Sequence, residues 1–170
     1  MKPYYVTRFE HVELGPDLWQ LTRPLGFVAS RGELVAVRAL RKWNGATIPK
    51  WIRWMYPPNG SYLKQSCLHD EILDESDQFD EDRKYHVFDM KHKAVQEFAR
   101  QMDGLSNHAF DRMKEELWEY SYRIESARAH RIMYEAMAAK PNPTPPQRRT
   151  IIWLAVRVGG PRWSMEVENG

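Results

Sequence analysis

Residues 18–39 read L-W-Q-L-T-R-P-L-G-F-V-A-S-R-G-E-L-V-A-V-R-A, and this stretch decides the fold. Three short apolar runs, 18–22, 25–29 and 33–39, are rich in Leu, Val and Trp. Arg23-Pro24 separates the first two and Ser30-Arg31-Gly32 the last two, breaks of the kind that divide antiparallel strands. The Gly32 turn is expected to close a hairpin. The chain therefore begins as a β-meander.

Downstream the period changes from strand to helix. Asn44-Gly45 marks a turn, Thr47 is placed to cap a short helix begun by Pro49, and Pro57-Pro58-Asn59-Gly60 ends it. Ser61 then opens a helix to about Asp74, apolar around most of its circumference and so expected to be buried. Residues 75–84 are acidic and read as a loop. Val87, Val95, Phe98 and Met102, then Phe110, Met113, Leu117, Tyr120 and Ile124, recur at helical spacing and predict a helical hairpin. The second of these helices is expected to continue through 127–139. Pro141, Pro143, Pro145 and Pro146 impose an extended linker before a last helix over 147–158.

The sequence thus predicts an α+β protein, an N-terminal antiparallel β-meander followed by a mostly helical part. It forms a single domain over 1–170: the meander (1–42), a turn and His-Asp helix (43–74), a helical hairpin (75–125), and core helices with a C-terminal tail (126–170).

Composition narrows the classes of function. The net charge of +2 is too small to argue for a nucleic-acid partner. Seven Trp and eight Tyr suit a well-packed core or a contact surface. A single cysteine, Cys67, excludes an intrachain disulfide framework and fits a reducing compartment. The first residues, M-K-P-Y-Y-V-T-R-F-E, lack the apolar run of a signal peptide, and the longest apolar run, 151–156, is too short to span a bilayer.

The chemistry-bearing residues sit in apolar surroundings. S-C-L-H-D-E-I-L-D (66–74) places His69 and Asp70 on a helix bound for the core, and A-R-A-H-R-I-M-Y-E-A-M (127–137) does the same for His130. A His-Asp pair on a buried helix is ordinarily a satisfied hydrogen-bonded pair. Two such segments, with an exposed polar turn at Asn44–Thr47, raise the alternative of a site.

Five segments together resemble the DUF1353 family, small proteins of phage and prophage genomes. They are W-Q-L-T-R-P-L (19–25), N-G-A-T-I-P-K-W (44–51), Y-P-P-N-G-S-Y-L-K-Q-S-C-L-H-D-E-I-L (56–73), the His130 segment, and R-R-T-I-I-W-L-A-V-R-V-G-G (148–160). The resemblance covers 18–74 and 125–163, which makes 75–125 look like an insertion. It implies a phage origin and a compact α+β fold, and it implies no activity. Asn44 and Thr47 stand where the family pattern has Asp and Ser, and His130 stands where it has Asp. Replacing an acid by His keeps the capacity to ligate a zinc-like ion.

Two functions follow as expectations. The first is a non-catalytic phage protein, a virion component or a factor that binds host or phage proteins, or itself, through Phe110, Met113 and Leu117 on the inserted hairpin. It would act in the host cytoplasm during infection or in the virion. The second is a small hydrolase acting on cell-wall or nucleotide substrates. There His69, Asp70 and Thr47 are the catalytic candidates, and His69, Asp70 and His130 the candidate ligands of a divalent metal such as zinc.

Overall fold

The computed structural model of the chain describes residues 1–16, 18–43, 63–73, 86–140 and 143–159. The short helix expected after Thr47 and the acidic loop at 75–84 lie outside them. The protein is α+β, with its strands concentrated at the N-terminus and helices after them.

The quoted stretch forms β3 (Leu18–Leu21), β4 (Leu25–Val28) and β5 (Glu33–Val37). β4 and β5 pair as the expected hairpin, Val28 opposite Leu34 and Leu25 opposite Val37. Gly32 turns the chain at φ +86°, a conformation that favours glycine. Ahead of them, β1 (Tyr4–Tyr5) pairs with β4 and β2 (His11–Gly15) with β3. After them, β6 (Lys42–Trp43) pairs with the other edge of β3. The three apolar runs therefore divide between two sheets. β3 is the middle strand of the small one, and β4 and β5 belong to the large one.

The large sheet has the order β1-β4-β5-β7-β8. Its last two strands, β7 (His86–Asp89) and β8 (Ser121–Arg123), come from the segment expected to be only a helical hairpin. β7 pairs with β5, and β8 with β7. Between them run α2 (Lys93–Gln101), a 3₁₀ turn at Met102–Gly104, and α3 (Asn107–Glu116), whose first turn is capped by the Ser106 hydroxyl accepting from the Ala109 N–H. The strand at 121–123 separates α3 from α4 (Ser126–Ala138), so the continuous helix expected there does not form. The remaining helices are α1 (Leu63–Leu73) and α5 (Pro146–Gly159).

The sheet is covered on both faces. Leu25, Phe27, Val35, Val37 and Val87 point into a core shared with Cys67, Leu68 and Ile72 of α1 and Ala129, Ile132 and Ala136 of α4. Their neighbours Val28, Leu34, Ala36 and Phe88 point the other way, into a second core with Val95, Phe98, Met102, Phe110 and Leu117. Alternation along each strand sends successive side chains to opposite faces. Gly26 faces the second core, and a Cβ there would stand 2.8 Å from the Met102 sulfur and 3.0 Å from the Val6 Cβ. The second layer approaches the backbone too closely for any larger residue without a shift of its neighbours.

This arrangement changes the reading of residues 86–123. They supply two strands of the main sheet and the helical cover of one face. Phe110 and Leu117 are buried in the chain's own second core, and Met113 packs half-buried against it. The stripe expected to meet a partner is covered by Val28, Leu34, Ala36 and Phe88 of the same chain. Fully burying a side chain such as Phe contributes about 2–3 kcal/mol, so this layer adds to stability rather than decorating a finished core.

α5 packs outside α4 through Met133, Met137, Ile152 and Val156. Among the described residues no helix is long and apolar enough to cross a membrane.

Candidate functional site

Two helices meet at a pair of imidazoles. α1 and α4 both lie on the first face of the large sheet. Gln65 and His69 are one turn apart on α1 and both are buried. The Gln65 amide donates to the Ala136 carbonyl of α4 at 3.4 Å, and the Tyr5 hydroxyl donates to the same oxygen at 3.2 Å. One turn along α1, His69 faces His130, with ring centroids 5.3 Å apart and planes 20° from parallel. His69 is 8% exposed and His130 3%.

α4 is held in place by charge. The Arg128 guanidinium donates to both Glu33 carboxylate oxygens, at 2.6 and 2.8 Å, and to Glu135 Oε1 at 2.7 Å. Glu135 also accepts from the Ser30 N–H and hydroxyl, each at 2.8 Å. Burial alone would raise the Glu135 pKa, but the bonds from Arg128 and Ser30 outweigh it and hold the carboxyl below its ordinary value. This clamp ties α4 to the hairpin turn and to the first residue of β5.

The polar edges of the two imidazoles differ. His69 Nδ1 lies 3.6 Å from Asp70 Oδ1, outside a direct hydrogen bond but within ion-pair range. Nε2 of His69 and Nε2 of His130 are both buried without a hydrogen-bond partner among the described residues. An unsatisfied buried polar atom costs about 1–3 kcal/mol. The His130 pKa is pushed down to about 4, chiefly by burial, then by the charges of His69 and Arg157. His130 is therefore a neutral imidazole at pH 7.

The structure brings His69 and His130 together and places Asp70 beside His69. Asp70 lies toward the Nδ1 edge of His69, away from its Nε2. Among the described residues no group of three or more His, Cys, Asp or Glu side chains is arranged to hold a metal ion. Asn44 and Thr47 lie outside the described residues. Cys67 is fully buried, and burial first, then Glu71 and Asp70, pushes its thiol pKa well up, so it is a core side chain rather than a nucleophile.

Sequence reasoning missed Gln65 and the Glu33–Arg128–Glu135 clamp. Glu33 did carry a signal, as a lone carboxylate opening the apolar strand E-L-V-A-V.

The family pattern of DUF1353, proteins of unknown function, matches residues 19–106, just over half of the chain. The chain belongs to this family. The match includes β7 and α2, which the sequence reading assigned to an insertion, and it ends before the helix that carries His130. Comparison with curated proteins and with solved structures finds no match.

Proposed function

We propose that this chain is a small hydrolase centred on the His69–His130 pair. The phage setting implied by the family resemblance is the context in which it would work. One observation carries the reading: two imidazoles from different helices lie with ring centroids 5.3 Å apart, and the Nε2 of each is buried without a hydrogen-bond partner among the described residues. The fold gains no stability from that, and titratable groups kept at such a cost cluster at functional sites.

In the reaction, His69 keeps its proton on Nδ1, toward Asp70, and takes a proton from water at Nε2. The water oxygen attacks the substrate's electrophilic centre, and the imidazolium returns that proton to the leaving group. His130, neutral at pH 7, lies against the His69 ring and orients the water or the leaving group. The other role expected from the sequence, a non-catalytic protein that binds partners through Phe110, Met113 and Leu117, is less favoured because those side chains pack in or against the chain's own second core.

The test is turnover of a panel of chromogenic carboxylic and phosphoric esters by the wild type, His69→Gln and His130→Gln. Loss of a general base is expected to reduce turnover by about 100-fold or more. A wild type inactive on the whole panel, or a His69→Gln protein with full turnover, contradicts the proposal.

A further inference from the structure

The outer side of the α4–α5 pair carries positive charge without a carboxylate partner among the described residues. Tyr134 of α4 and Trp153 of α5 meet edge to face, with centroids 6.2 Å apart at 76°. Three guanidiniums lie on these two rings. Arg131 and Arg149 stand 5.0 and 5.4 Å from the Tyr134 centroid, and Arg157 stands 5.1 Å from that of Trp153. None of the three has a carboxylate partner among the described residues.

Their neighbours in sequence supply none. α5 contains no Asp or Glu, and the one carboxylate of α4, Glu135, is committed to Arg128 and Ser30. Stacking on an aromatic ring orients a guanidinium without neutralising it. Three like charges sharing two rings repel one another, and an anion that accepts from several of them relieves the repulsion. Guanidinium forks match the tetrahedral oxygens of a phosphate group.

The place is as informative as the charge. Arg131 follows His130 in the chain, and the charge of Arg157 is felt at His130. We propose that Arg131, Arg149 and Arg157 form a binding site for the phosphate group of a ligand on the outer side of α4 and α5. Joined to the hydrolase reading, on which this step rests, it makes the substrate a phosphate-bearing small molecule. The chain's net charge of +2 fits a discrete anion better than a nucleic-acid polymer.

The test is calorimetric titration of the full chain with inorganic phosphate and, separately, with vesicles of phosphatidylglycerol. The wild type is expected to bind free phosphate saturably. Losing charge-assisted hydrogen bonds should weaken binding by about tenfold or more in Arg131→Gln/Arg157→Gln, with a smaller loss in Arg149→Gln. Arg112→Gln, exposed on α3 over the other face of the sheet, should bind as the wild type does. Thermal melts of each variant separate lost binding from lost folding. No saturable phosphate binding by the wild type, equal binding by the arginine variants, or binding to vesicles alone overturns the proposal. Phosphate binding without any ester turnover keeps the anion site and removes the hydrolase, whereas turnover without phosphate binding does the reverse.

Discussion

Changing His130 to Gln should flatten the acid limb of the protein's stability. In the folded chain His130 has a pKa of about 4, against roughly 6.5 for an unperturbed histidine. Between these values the unfolded chain binds a proton that the folded chain does not. The stability associated with a neutral His130 is therefore fully present above pH 6.5 and is lost as pH falls toward 4. The shift of roughly 2.5 units corresponds to at most about 3 kcal/mol, a large share of the 5–15 kcal/mol typical of a domain. After burial, His69 from α1, once it is itself protonated, and the charge of Arg157 from α5 oppose protonation of His130. Urea unfolding of the wild type and His130→Gln at pH 7.5, 6, 5 and 4 reads the effect, because other titrations largely cancel between the two. The wild type should lose up to about 3 kcal/mol more than the variant across the range. Parallel acid limbs would refute the reasoning, since they would mean that His130 accepts a proton as readily in the fold as out of it.

Other perturbations test the architecture around the site. Phe110→Ala should cost about 3–5 kcal/mol in thermal or urea unfolding, because the ring is fully buried between α3 and the sheet; a loss under 1 kcal/mol would mean an exposed helix. Arg128→Met should cost about 3–5 kcal/mol by stranding two buried carboxylates, and replacing Glu33 and Glu135 with Gln in the same protein should recover part of it. Removing residues 86–123 behind a short Gly/Ser join should give an insoluble product, since it takes β7, β8 and the cover of one sheet face; a soluble, cooperatively melting remainder would contradict the two-faced sheet.

The hairpin at 25–37 and the helices at 63–73 and 146–159 were legible because each is marked locally, by Gly32, by an apolar circumference, and by a run of prolines. The second helical layer was less so, although β4 and β5 carried a hint. Leu25–Val28 and Glu33–Val37 are buried along their whole length, without apolar-polar alternation, and unbroken apolar strands are those covered on both faces. The strands at 86–89 and 121–123 were hidden by the helical period of the residues between them. They are four and three residues long, and long-range pairing with β5 defines them more than any local preference. His69 and His130 stood out as polar residues in apolar helices, which is a local property. Their mutual approach depends on how α1 and α4 pack, and that Asp70 would take the Nδ1 edge of His69 depends on side-chain rotamers, which no spacing encodes. The arginine-aromatic face was visible as R-R and as scattered aromatics, but its lack of carboxylates becomes meaningful only once α4 and α5 are side by side.

The most direct test of the central claim is long-range proton–nitrogen NMR of the histidine rings, followed from pH 8 to pH 4 in the ligand-free protein. The neutral form of His69 should carry its proton on Nδ1, the edge toward Asp70, and His130 should stay neutral until pH approaches about 4. A His69 protonated on Nε2, or a His130 that titrates near 6.5 like a solvent-exposed ring, would contradict the account: the pair would then be an ordinary polar contact between two helices.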